Sequence, residues 1–205
     1  MEADMPVAAA LFLAVLQAAP CLPAAERAYG EAVAVAQAEG AAPAAGPLGR
    51  AVAADPSCAR ATMARTAIEA WGAARAAAPL GGSPEALAAP RERLAVLSAL
   101  PGGDAVAYAS AAVTAAMAAA QDERPEMGLY LEQARALALR LSALGTPALW
   151  PLPIDELEGE LWLEVDRYGE GCAAYRRALA TATGSGRDRI AAILARPECS
   201  AAGWP

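Results

Sequence analysis

Six carboxylates crowd one short stretch of this chain: Asp155, Glu156, Glu158, Glu160, Glu164 and Asp166. Glu156, Glu160 and Glu164 recur every fourth residue and share one face if the segment is helical. Like charges at that spacing repel mildly, so the stripe is not there for helix stability. Acids in a first turn do favour the helix dipole. The chemistry open to the stripe is docking of a basic peptide, and the plainer alternative is a solvated face. Calcium would require a loop of spaced oxygen ligands, and none accompanies it. Paired-acid hydrolysis requires environments that separate an acid from a base, and nothing in the residues does so. Trp150, in TPALWPLP, is a second candidate for meeting a partner; the alternative is packing beneath its Pro-rich loop. Trp162 reads as core, and Trp204 as a cap contact or a loose end.

Other chemistry is excluded by what is missing. The chain has no histidine, which removes the usual general base, the triad relay and the commonest zinc ligand together. It carries no GxSxG, Walker A, GxGxxG or CxxC pattern. We therefore expect no enzyme, no cofactor and no metal. A net charge of −7 argues against nucleic acid, where phosphate contact needs a basic stripe, and against anionic lipid. Cys21, Cys58, Cys172 and Cys199 are dispersed and wrongly spaced for zinc. An even, dispersed set suits disulfides in an oxidising compartment, with buried free thiols as the alternative.

The elements that must position these residues are helical. Hydrophobic content is 57%, mostly alanine, the best helix former. Every cation is arginine, a bias that codon usage in a GC-rich genome explains without appeal to function. Pro23, Pro47, Pro84, Pro125 and Pro153 each precede an apolar-periodic segment, and glycine breaks separate those segments. The pattern predicts helices over 23–39, 47–54, 58–78, 83–99, 104–121, 125–144, 153–166, 168–182 and 186–196. Pro90 predicts a kink or a late start in the fourth. No alternating β-branched stretch is long enough for a strand.

At the front, residues 7–19 (VAAALFLAVLQAA) are apolar and uncharged but too short to span a membrane. The length fits a signal-peptide core with cleavage after Ala18, although the preceding residues are acidic. The alternative is a first core helix. The expected organisation is a signal peptide over 1–18, one domain over 19–199 and a tail over 200–205. Location would be periplasmic or secreted, with the cytoplasm as the alternative.

The segment 152–183 resembles one unit of the tetratricopeptide repeat family. Gly159 and Trp162 match the small and aromatic positions of its first helix, and Tyr168 the aromatic at the turn. Gly171 takes the place of the usual Ala, while Tyr175 and Ala178 match the second helix. Asp155 and Thr183 depart from the pattern. Leu48, Ala51 and Pro56 form a weaker match, as do Met127, Leu131 and Ala134, at irregular spacing. The resemblance implies an all-α fold of antiparallel helix–turn–helix pairs, stacked as a short right-handed solenoid. It implies a concave groove that binds a protein or peptide, without identifying which. Stacked units would place Cys21 beside Cys58, and a terminal helix would place Cys199 over Cys172. The competing expectation is a helical bundle with an apolar pocket for a lipid or small molecule, left open because alanine fills little volume.

Overall fold

The computed structural model of the chain describes residues 20–144 and 153–200. The described residues hold ten α-helices and no strand. They are α1 (Pro23–Glu39), α2 (Ala45–Ala54), α3 (Ala59–Ala77), α4 (Ala88–Ser98) and α5 (Asp104–Ala120). The chain continues with α6 (Arg124–Ala143), α7 (Ile154–Glu164), α8 (Tyr168–Thr181), α9 (Gly184–Leu194) and the short α10 (Pro197–Ser200). Single 3-10 turns at Ala42–Ala44 and Ala78–Leu80 precede α2 and follow α3. The proposed signal segment, Trp150 and Trp204 lie outside the described residues. Ser200, expected in the tail, closes α10.

Helix starts follow the proline and glycine punctuation more than side-chain caps. α1 opens on Pro23, and α6 carries Pro125 in its first turn, where a missing N–H costs nothing. The fourth helix begins at Ala88, later than the 83 expected. Gly81 and Gly82 both have positive φ, and residues 83–87 are spent in turns held by the Ser83 hydroxyl, which accepts from the Ala86 N–H. Pro90 then falls in the first helical turn, where it is tolerated.

α5 is the axis of the molecule. Of its 17 residues, 13 are buried, eleven of them alanine or valine, and it packs against α3, α4, α6 and α7. A helix apolar all round must be buried, and small side chains let four neighbours approach it. The main core gathers Trp71, Leu87, Leu97, Tyr108, Met127, Leu131, Leu157 and Leu161 around that axis. Two satellite cores stand apart. One joins Ala25, Ala51, Cys58 and Ala61 near the start of the fold; the other joins Tyr175, Ala178 and Ile190 in its last helices.

α5–α6 and α7–α8 are helical hairpins with the same turn. Asp122 and Asp166 each adopt positive φ (56° and 58°). The next N–H, of Glu123 or Arg167, reaches back five residues to the Ala118 or Trp162 carbonyl at 2.9 and 2.8 Å. This closure satisfies carbonyls that the helix end leaves free.

Disulfides pin both ends. Cys21 is joined to Cys58 and Cys172 to Cys199, with Cα separations of 5.0 and 5.5 Å. Buried Asp55 reinforces the first, accepting from the N–H groups of Leu22 at 2.9 Å and Ser57 at 3.0 Å. These bonds and the Ser57 hydroxyl hold its carboxyl below the ordinary carboxylate range. α9 packs on α8 and also returns against α1, so the last long helix of the described residues meets their first.

Candidate functional site

α7 is the element that organises the charged residues. Its carboxylates leave on two faces, and arginines from four other helices converge on them. On one face, Asp155 and Glu158 are gripped by Arg135 of α6 and Arg177 of α8. Arg135 Nη2 donates to Asp155 Oδ1 at 2.8 Å and also to Glu158. Arg177 Nε and Nη2 donate to the same two carboxylates at 2.9 and 2.7 Å. This network ties α6, α7 and α8 together.

The other face is the stripe of Glu156, Glu160 and Glu164, which is not a solvated face. It forms one wall of a cleft of about 880 Å³. The opposite wall comes from the end of α1, the turn Gly40–Pro43 and α3, with α8 and α9 completing the enclosure. Glu156 is 5% exposed and accepts from Arg189 Nη2, while Arg189 Nε donates to the Gln37 carbonyl at 3.0 Å. Arg75 reaches across from α3. Its Nη1 lies 2.7 Å from Glu160 Oε1 and its Nε 3.0 Å from Glu164 Oε2. Arg75 Nη1 and Glu164 Oε2 are buried without a well-directed hydrogen bond, so these contacts are ion pairs and little more. Arg75 also lies over the Trp71 ring, 5.8 Å from its centroid.

Two arginines do not balance three carboxylates. Burial pushes the Glu160 carboxyl above the ordinary range; Arg75 and Arg189 oppose the rise and Glu156 adds to it. Burial raises Glu164 likewise, against Arg75 and with Glu160. Tyr175 is raised by its burial. At the cleft margin, Glu39 and Arg196 are exposed and make no ion pair among the described residues.

The residues matched to the repeat pattern fall at one hairpin. A Cβ at Gly159 would stand 2.6 Å from the Tyr175 ring, and one at Gly171 would stand 2.7 Å from Leu163 Cδ2. Both glycines are what let α7 and α8 approach. Trp162 packs on the main core with Arg167 over its ring, and Ala178 is buried. Tyr168 is 40% exposed and fills no gap between helices; its hydroxyl donates to Asp166 Oδ1 at 2.7 Å.

Sequence reasoning found the stripe and missed its partners. Arg189 is 33 residues from Glu156, and no local pattern signals such a pair. Trp71 was readable only as one of four tryptophans. Among the described residues, no three of His, Cys, Asp and Glu group as a metal site, and no helix is long and apolar enough to cross a membrane. Among family models, curated proteins and solved structures, nothing matches this chain.

Proposed function

We propose that this protein is an exported, non-enzymatic scaffold that holds a segment of a protein or peptide partner in the cleft between α3 and α7–α9. The cleft carries the reading. Its volume of about 880 Å³ lies within the range of binding sites for small ligands and short segments. Its lining mixes seven charged side chains with Trp71, Tyr175, Leu163 and Ile193. A peptide brings both backbone hydrogen-bonding groups and side chains, and that lining answers both. A lipid has no use for seven charges, which weighs against the apolar-pocket alternative. Two disulfides favour an oxidising compartment, periplasmic or extracellular. The matching hairpin turns and the glycine contacts at α7–α8 support a tetratricopeptide-like array, with α7 and α3 as groove-lining first helices.

The test is selection of binders from a random-peptide phage library on the intact, disulfide-bonded chain. Ala192 is exposed and lines the cleft, so Ala192→Trp fills it without entering the core. Enriched peptides should bind the parent and lose most of their affinity for Ala192→Trp. Peptides indifferent to that substitution, or no enrichment at all, would defeat the proposal.

A further inference from the structure

The walls of the cleft are held by unequal means. α3 and α7 both pack on α5 within the main core and are fixed to each other through it. α9 belongs to neither wall in that sense. Its apolar face, through Ile190, Ile193 and Leu194, packs with Tyr175, Ala178 and Leu163 in the separate C-terminal core, to which α1 contributes nothing. Where α9 meets α1, the contacts are small and polar: Gly186 lies against Gln37, and Arg189 donates to the Gln37 carbonyl. Among the described residues, no apolar cluster crosses that seam.

The two ends of α9 also differ. Its far end is pinned to α8 through α10 and the Cys172–Cys199 bridge. Its near end, the one at the seam, begins Gly184–Ser185–Gly186, with Gly184 at φ 53°. Glycine pairs absorb backbone rotation that other residues resist. A helix fixed at one end, jointed at the other and resting on a polar seam has one inexpensive motion, and local openings of this kind draw on the least apolar contacts.

We propose that the seam between α9 and α1 is the gate of the cleft. The first turns of α9 tilt off α1 about the disulfide-pinned end, and Arg189 is the latch, because its guanidinium alone holds both Glu156 of α7 and Gln37 of α1. What the gate admits rests on the peptide reading above; the motion itself does not.

The structure supplies its own lock. A Cβ at Gly186 would stand 3.8 Å from Gln37 Cβ, the spacing that disulfides adopt. The experiment uses the full chain labelled with 5-fluorotryptophan, the Trp71 fluorine resonance assigned by its loss in Trp71→Phe, and a soluble nitroxide as the probe of access. Three proteins are compared with the parent: Gln37→Cys/Gly186→Cys with its new bridge verified by peptide mapping, the control Gln37→Ser/Gly186→Ser, and Arg189→Gln. Broadening of Trp71 by the nitroxide should fall several-fold in the bridged protein relative to the control, and rise in Arg189→Gln. The Trp162 resonance should be unmoved in all of them. If the bridge does not form in a folded chain, or if Trp71 broadens equally in the bridged protein and its control, the gate is refuted. If the double cysteine protein fails to fold, Arg189→Gln decides alone: Trp71 broadening equal to the parent's refutes the gate. A working gate with no peptide binding would count against the proposed function only.

Discussion

Gly171 shows how much depends on single atoms here. The repeat family commonly has alanine at this position, and alanine favours a helix over glycine by about 1 kcal/mol. In this chain the added methyl would press Leu163 at both its side chain and its backbone N, 3.0 Å away, and backbone cannot step aside. Overpacking of this kind costs roughly 1–3 kcal/mol. Gly171→Ala should therefore lower stability in urea denaturation under oxidising conditions, and equal or greater stability would show that α7 and α8 relax freely. Charge gives a second test at this scale, with two signs. Glu160 has a raised proton affinity in the folded state because of burial. The folded chain holds that proton more tightly than the unfolded chain, so this contribution to stability falls as pH rises through the raised value. Glu160→Gln should exceed the parent in stability at neutral pH, with the two converging in acid. Asp55 is the reverse case, lowered by hydrogen bonds from Ser57 and Leu22. Its contribution is present above the ordinary carboxylate range and is lost as pH falls through the lowered value. Asp55→Asn should be the less stable protein at neutral pH, again converging in acid. Thermal melts across pH would read both, and a shared sign would contradict the environments described.

At the scale of elements, nine of the ten helices were legible. Proline and glycine punctuate them, and α1 runs over the 23–39 expected. For α4 the late start that Pro90 suggested is what is found, at Ala88; what local pattern could not carry was the Ser83-capped turn that competes with helix over 83–87. Nor could it show the two faces of α7. The every-fourth-residue stripe was readable, but arginines from α3 and α9 that neutralise it are brought there by packing around α5, which no spacing reports. The hairpin turns were placed between the expected helices, but their left-handed geometry was not, since Asp122 and Asp166 look like ordinary solvated acids. Their positive φ makes them testable. A left-handed residue other than glycine costs roughly 1–2 kcal/mol, and aspartate relieves part of that through local hydrogen bonds. Here Asp166 accepts from the Tyr168 hydroxyl and Asp122 from Arg124 Nε. Alanine keeps the steric cost and loses the bonds, so Asp122→Ala and Asp166→Ala should each destabilise by about 1 kcal/mol. Glycine at either site should be neutral or stabilising. Paired denaturation curves separate the two, and an alanine variant as stable as its glycine counterpart would mean the turn has changed conformation.

At the scale of the whole molecule, the two disulfides do different work although their chain-entropy effects are alike. Closing loops of 37 and 27 residues predicts about 4 kcal/mol of stabilisation from each. Cys21–Cys58 sits in a satellite core with Asp55 beside it, where α1, α2 and α3 already pack together. Removing it by Cys21→Ser/Cys58→Ser should lower global stability and leave the cleft walls in register. Cys172–Cys199 ties α10 to α8 and fixes the far end of α9, which borders the cleft. Without it, α9 keeps its contacts with the small C-terminal core, the polar seam on α1 and the Arg189–Glu156 ion pair. Cys172→Ser/Cys199→Ser should then release α9 and α10 well before the rest of the chain unfolds. Hydrogen exchange followed by mass spectrometry distinguishes the cases. The N-terminal double variant should speed exchange broadly, in proportion to its lost stability. The C-terminal one should speed it most in 184–200, while α5 stays close to its parental rate. Uniform acceleration in the C-terminal variant would mean that the last helices are part of one cooperative unit with the alanine core, and that the separation of the two cores has no energetic consequence.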